Sequence, residues 1–282
     1  MGADSAPANL TFPAMTACLI DPVRLATLLG PARVRFDVDA LAECDSTNSV
    51  LLARAAGGAA SGSVVVADRQ AAGRGRRGRA WQSAPGDALT FSLLWRFAGD
   101  PGRLAGLSLA VGVAVARALA ACGLRGAALK WPNDLVLDGG KLGGILIELA
   151  AERGAMAAVI GIGINLLPPP PGVGYSLPPA ALAQMGTVPE RHQLLAALLE
   201  SLAATLDLFA VAGFAALRDE WGQLNAWQGQ QVRLFDSGAG GAPTLLAEGR
   251  CDGADADGAL LITTADGRCQ RFLVGDLSLR AA

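Results

Sequence analysis

A run of arginine and glycine between two strand-forming segments constrains this chain most. Ser63–Ala67 and Ala88–Trp95 have the β-branched and apolar make-up of buried strands. Between them, residues 68–80 carry Arg69, Arg74, Arg76, Arg77 and Arg79 together with Gly73, Gly75 and Gly78. Glycine lets a backbone approach a ligand closely, and arginine offers a fork of donors matched to phosphate or carboxylate. The loop therefore reads as an anion-binding element that can move and close. A solvated basic loop, or one that touches RNA, is the other reading of an isolated run. Placement between two core strands, not at a terminus, argues for a site; no Gly-Lys-Ser/Thr follows, so it is not a Walker loop.

The remaining pattern predicts an α+β chain: a mixed β-sheet backed by helices, then a small β-barrel. Residues 1–20 show no periodicity and read as a loose tail. Asp21-Pro22 starts a short helix that Gly30 stops, and a second helix starts at Asp45 or Ser46 and ends at Gly57-Gly58. A long helix runs from Arg103 to Cys122. Its apolar stretch Leu104–Ala116 is too short to span a bilayer and reads as buried. Strands follow at 129–131, leading into 135–137, then at 145–148 and 157–165, with Asp138-Gly139-Gly140 as a hairpin turn. A Pro-rich loop from Pro168 to Pro179 precedes helices near 190–209 and 213–221. From Gly229 onward, short strands at 231–235, 244–247, 259–263 and 271–274 alternate with Gly/Asp turns. The expected units are residues 1–35, 36–228 and 229–282, with no internal repeat.

Composition excludes several functions. A net charge of -2 gives no global basic field for nucleic acid or an acidic membrane. Five scattered cysteines without a CxxC spacing argue against a zinc site or a disulfide framework, and no basic segment precedes an apolar core at the N-terminus. The expected location is cytoplasmic. With a single histidine, His192, neither a Ser/His/Asp hydrolase nor a histidine metal site can be built. His192 reads as a surface or helix-start residue.

What remains is electrostatic chemistry on anions. The chain has two lysines, Lys130 and Lys141, in the segments Lys130-Trp131-Pro132-Asn133-Asp134 and Lys141-Leu142-Gly143-Gly144-Ile145. Arginine serves as the cation everywhere else, so a compact ammonium at a fixed site is the reading, with chance clustering of surface lysines as its rival. Asn133-Asp134 suits nucleotide or metal contacts, or simply forms a turn. Gly161-Ile162-Gly163-Ile164-Asn165 ends a buried strand where glycines could admit a flat ring or mark a bulge. Ser46-Thr47-Asn48 stands at a helix start, where a cap is the commoner explanation.

In this order and spacing, the motifs resemble those of biotin–protein ligases over roughly residues 40–280. The Gly73–Arg79 loop and the Lys130–Asp134 segment are the most specific. The resemblance implies a class II synthetase-like catalytic fold and a C-terminal SH3-like barrel. It implies that Ser46, Thr47, Asn48 and Gln70 hold the ureido ring of biotin, and that Gly73, Arg74, Gly75 and Arg76 wrap its carboxylate and the adenylate phosphate. Lys141 would reach the same region, and Gly144 and Gly161 would give the ligand room. Arg74, Arg76, Arg77, Arg79, Trp81, Asn133, Asp134, Ile164 and Asn165 would receive ATP or the adenylate. Arg76 and Lys141 are the expected catalytic residues. ATP and Mg2+ are implied, with the metal ligands unassigned.

The implied acceptor is a biotin carboxyl carrier protein of the acetyl-CoA carboxylase type, and the enzyme is expected as a monomer or weak homodimer. Some relatives carry an N-terminal helix-turn-helix; the 45 residues before Ser46 predict no sequence-specific DNA binding and no membrane association here. A lipoate–protein ligase and a non-catalytic regulator that responds to the adenylate are the rival functions.

Overall fold

The computed structural model describes residues 18–152, 155–169, 177–236, 243–273 and 277–281, apart from the side chains of Arg77, Ser278 and Ala281. Residues 1–17 of the expected tail 1–20, the middle of the Pro-rich loop and Val274 lie outside the described residues, while Ile20, expected in the tail, is buried in the main core.

Asp21 accepts from the Val23 amide and starts helix α1 (Pro22–Leu29), which ends at Gly30 with φ +53°. Leu25 and Leu29 are buried in the main core beside helix residues from much later in the chain, so α1 packs as part of the large unit. Strand β1 (Asp37–Cys44) comes next, then α2 (Thr47–Ala56), β2 (Ser63–Gln70) and β3 (Ala88–Ala98). The predicted long helix is interrupted. A 3-10 turn at Pro101–Leu104 precedes α3 (Leu107–Ala121), with Gly106 at φ +78° between them. A side chain there would stand 2.6 Å from Phe214 Cβ, so the break requires glycine.

Strands β4 (Ala128–Lys130), β5 (Asp134–Leu137), β6 (Gly140–Glu152) and β7 (Ala155–Asn165) follow. Asp138 and Gly139 both take positive φ in the β5–β6 turn, the geometry that Asp-Gly favours. Helices α4 (Arg191–Ala212) and α5 (Arg218–Leu224) close the large unit. Its sheet has the order β1-β2-β3-β7-β6-β5-β4, parallel only between β1 and β2.

Central strands β3 and β7 are buried almost throughout, because helices cover both sheet faces. Helix α2 packs Leu51 and Ala55 against Val65, Leu94, Ala157 and Val159. Helices α3 and α4 pack on each other and belong to the main core. The helical stretches 101–121 and 191–212 are long and apolar enough to cross a membrane by composition, and both are largely buried within the fold. Since α2 covers only part of its face, the remainder, toward Gly161, Gly163 and Asn165, is left for a cavity.

The C-terminal segment forms β8 (Gln231–Asp236), β9 (Thr244–Ala254), β10 (Leu260–Thr264), β11 (Cys269–Phe272) and β12 (Leu277–Ala281). They make one antiparallel sheet in the order β11-β10-β9-β8-β12, in line with the SH3-like unit expected from sequence.

Candidate active site

The cavity, about 370 Å3, opens over β6 and β7 between the start of α2 and the loop after β2. Glycines shape its floor. A Cβ on Gly161 would stand 2.3 Å from Asn48 Oδ1, and one on Gly163 would stand 2.6 Å from the Trp81 ring. Gly144 lies opposite Gly163 in the sheet, with the Lys141 ammonium 3.6 Å from where its Cβ would be. Gly161 and Gly163 are therefore required by close approach of side chains, with no bulge needed to explain them, whereas a Cβ at Gly144 would meet Lys141 at ordinary contact distance.

The start of α2 forms one wall. Ser46 is the N-cap residue but its side chain makes no capping bond, so capping does not account for the triplet. The Thr47 amide and hydroxyl both donate to Gln70 Oε1, at 2.8 and 3.1 Å. Asn48 Nδ2 donates to Glu148 Oε2 at 2.8 Å and to the Leu146 carbonyl at 3.3 Å. The fully buried Ser92 hydroxyl donates to Asn48 Oδ1 and lies 2.7 Å from Thr47 Oγ1. A network this complete fixes the rotamers of Thr47 and Asn48.

The arginine loop covers the mouth. It folds on itself through Gly75 N–H to Arg79 O and Trp81 N–H to Gly73 O. A side chain at Gly73 would stand 2.4 Å from Trp81 O, which explains that glycine. Arg74 donates to Glu148 at 2.9 Å, and Arg76 Nη1 donates to Asn133 Oδ1 at 3.2 Å. Asn133 in turn donates to the Ile145 carbonyl.

Both lysines meet one carboxylate. Asp134 Oδ1 takes the Lys141 ammonium at 2.6 Å and Oδ2 takes that of Lys130 at 3.4 Å. Burial pushes the Lys130 ammonium below the ordinary lysine range, against the pull of Asp134. Burial alone would raise Asp134, but the charges and hydrogen bonds of Lys141 and Lys130 hold it below the usual carboxylate range. Lys130 also faces the Trp227 ring, 5.5 Å from its centroid.

Most predicted residues line this one cavity: Ser46, Thr47, Asn48, Gln70, Arg74, Gly75, Arg76, Arg79, Trp81, Asn133, Asp134, Lys141, Gly144, Gly161 and Asn165. Two do not. Gly73 serves loop closure. The side chain of Ile164 is wholly buried in the main core, because strand alternation turns it away from Gly163 and Asn165. Asn165 reaches the cavity, but its amide nitrogen donates to the Ala180 and Lys141 carbonyls.

His192 starts α4, as one reading had it, but is buried and not at the surface. Its Nε2 accepts from the Asp21 amide and its Nδ1 contacts Glu190. Lys130 and Gly163 line the cavity as members of motifs singled out in the sequence, though neither had an assigned binding role. Sequence reasoning missed Thr90, Leu277 and Leu279 as lining residues and Glu148 as their neighbour. Period-2 alternation from Gly144 would have placed Glu148 on the cavity side of β6.

Among the described charged residues lining the cavity, Arg74, Arg76, Arg79, Lys130 and Lys141 are cations and Asp134 is the one anion. Such a site suits a ligand carrying carboxylate or phosphate.

The family model for "Biotin/lipoate A/B protein ligase family" matches residues 41–165, the segment that carries every motif of this cavity. The bifunctional ligase/repressor BirA of Escherichia coli is 37% identical over 84% of this chain and 72% of that protein. The biotin–[acetyl-CoA-carboxylase] ligase of Paracoccus denitrificans is 36% identical over 81% of this chain and 95% of its own length. The chain belongs to the biotin–protein ligases. A solved biotin–protein ligase from Aquifex aeolicus, in complex with biotin and ATP, covers 87% of this chain and 99% of its own, with a TM-score of 0.71 and 28% identity. Leu277 and Leu279 of the C-terminal sheet reach the cavity.

Proposed function

We propose that the protein joins biotin to ATP, giving biotinyl-5′-adenylate and pyrophosphate, and then passes the biotinyl group to a lysine of a biotin carrier protein. The observation that carries this is the pairing of a tightly hydrogen-bonded, glycine-floored pocket with a mouth of five cations. The Thr47–Gln70 and Asn48 network would present polar groups to a ureido ring. Arg74, Arg76, Arg79, Lys130 and Lys141 would meet the two anions that have to react.

The chemistry follows from charge. A biotin carboxylate oxygen attacks the α-phosphorus of ATP, and the bond to the pyrophosphate oxygen breaks. Both reactants are anions, so the cations offset their repulsion and the charge that builds in the transition state. The amine of the acceptor lysine then attacks the acyl carbon of the mixed anhydride; AMP departs and the amine loses a proton. A loop closed over the adenylate excludes water between the two steps.

Magnesium is implied by the family, but the donor set does not fit a protein-held ion. Among the described residues no three His, Cys, Asp or Glu groups cluster, and Asp134 is already shared by two ammonium groups. No step is assigned to it.

The deciding test is pyrophosphate release from ATP by the purified protein, with biotin or lipoate as the acid. Release with biotin alone is expected. Release with lipoate alone would move the protein to the other branch of the family, and silence with both would leave a binding role.

A second expectation concerns the loop. Arg76→Gly removes the bond to Asn133 that tethers the loop across the mouth. Adenylate should then leave at least about ten times faster, since tethers of this kind act mainly on dissociation. Bystander proteins mixed with the variant should acquire biotin on stray lysines. Unchanged adenylate retention together with clean labelling would sink the role given to Arg76.

A further inference from the structure

Glu148 lies outside every role considered so far, yet one of its oxygens joins two halves of the site. Oε2 accepts from Arg74 Nη2 at 2.9 Å and from Asn48 Nδ2 at 2.8 Å. Arg74 belongs to the loop over the mouth, Asn48 to the start of α2, and Glu148 to the strand beneath both. The Glu148 side chain is 26% exposed and the Arg74 side chain 42%. This is therefore a partly solvated tether and not a buried pair with a large desolvation cost.

A carboxylate beside a site for anions opposes ligand binding unless it does something else. Here the geometry provides that role. Asn48 has its carbonyl oxygen taken by Ser92, its position allowed by the missing side chain of Gly161, and its amide nitrogen held by Glu148. Arg74 is drawn by the same oxygen down onto β6, while Arg76 is held on the other side by Asn133. Among the described side chains, Arg74 and Arg76 thus tie the loop on two sides, and the Arg74 tie is shared with the pocket wall.

We infer that Glu148 is a positioning residue that couples closure of the Arg74 loop to the orientation of Asn48. It never touches the reacting atoms. Its charge holds Arg74, and its acceptor oxygen holds Asn48. Glutamine at 148 can still accept from Asn48 but loses the ionic hold on Arg74, whereas alanine loses both.

The inference rests on biotin activation as the reaction, so the test has one readout that needs substrate and one that does not. In ligand-free protein, amide hydrogen exchange across residues 73–81 should be several-fold faster in Glu148→Gln than in the parent, on the order of 5-fold. In pyrophosphate release, the KM for biotin should rise about 5-fold in Glu148→Gln and further in Glu148→Ala, with kcat changing less than KM. In the ligand-free exchange measurement, Arg74→Gln combined with Glu148→Gln should behave like either single variant, because the two residues hold the loop through one bond. Thermal unfolding close to that of the parent would show that the variants are folded.

Unchanged loop exchange in Glu148→Gln would overturn the tether whatever the substrate. Independent, additive effects of the Arg74 and Glu148 variants on ligand-free loop exchange would overturn the coupling. Failure of the parent protein to release pyrophosphate with biotin would instead overturn the assigned reaction, and the exchange measurement would still decide the tether.

Discussion

Lys141→Ala is expected to lower biotin-dependent pyrophosphate release by about 100- to 1000-fold, the range seen when a preorganised charge facing a developing anion is removed. The fold should survive the change. Lys141 is held through its backbone, its amide donating to the Pro178 carbonyl and its carbonyl accepting from the Ala180 amide. Its side chain is 24% exposed at the cavity, and Asp134 keeps Lys130 as a counter-ion when the Lys141 ammonium is gone. The loss should appear in kcat/KM for biotin and ATP alike if both anions meet at this charge, as proposed. Lys141→Arg should not restore activity: the compact ammonium is seated on Asp134 Oδ1 at 2.6 Å, and a planar guanidinium on a longer arm does not reproduce that point contact. Release within threefold of the parent would remove Lys141 from the reaction.

The parts of this site that were legible in the sequence are those whose signal is local. Gly73–Arg79, Lys130–Asp134 and Gly161–Asn165 each lie within one turn or one strand, where spacing alone brings the residues together. Strands β3 and β7 announce themselves by near-continuous apolar sequence, because both faces of each are covered. Strand β1 was not foreseen. It is a half-exposed edge strand whose Asp39 and Glu43 pair with Arg54 and Arg69, so charge masks the alternation of Val38 and Ala40 against the core. Strand β12 was missed for another reason. It pairs with β8, some forty residues earlier in the chain, and nothing within Leu277–Ala281 specifies that partner. Its leucines reach a cavity built more than a hundred residues earlier in the chain. Ile164 shows the opposite error: a motif places its backbone at the site, while strand alternation sends its side chain into the core.

Asp134→Asn should be the most damaging single change for stability in the site. The carboxylate is 12% exposed and lies between two ammonium groups at 2.6 and 3.4 Å. Asparagine keeps the shape and leaves Lys130, 6% exposed, facing Lys141 with no charge between them. Breaking such a pair by removing one partner costs about 3–5 kcal/mol when fully buried, and the partial exposure of Lys141 brings this to about 2–3 kcal/mol at neutral pH.

The pH dependence has a definite sign. Asp134 has a folded pKa below its unfolded value, so the unfolded chain binds more protons in the acid window between them. Its contribution is complete above the ordinary carboxylate range and is lost as pH falls through the folded value. Lys130 also has a lowered folded pKa, so its burial is unfavourable while it is charged, and stability rises with pH between the folded value and the ordinary lysine value. In Asp134→Asn the acid component disappears, and the Lys130 window moves lower because the attraction that raised its pKa is gone. Denaturant unfolding of parent and variant from acid to alkaline pH should therefore give curves that converge in acid, are furthest apart near neutrality, and draw together again as Lys130 deprotonates. Parallel curves across the range would show that Asp134 carries no net charge coupling to the lysines, and the electrostatic core assigned to this site would fall with it.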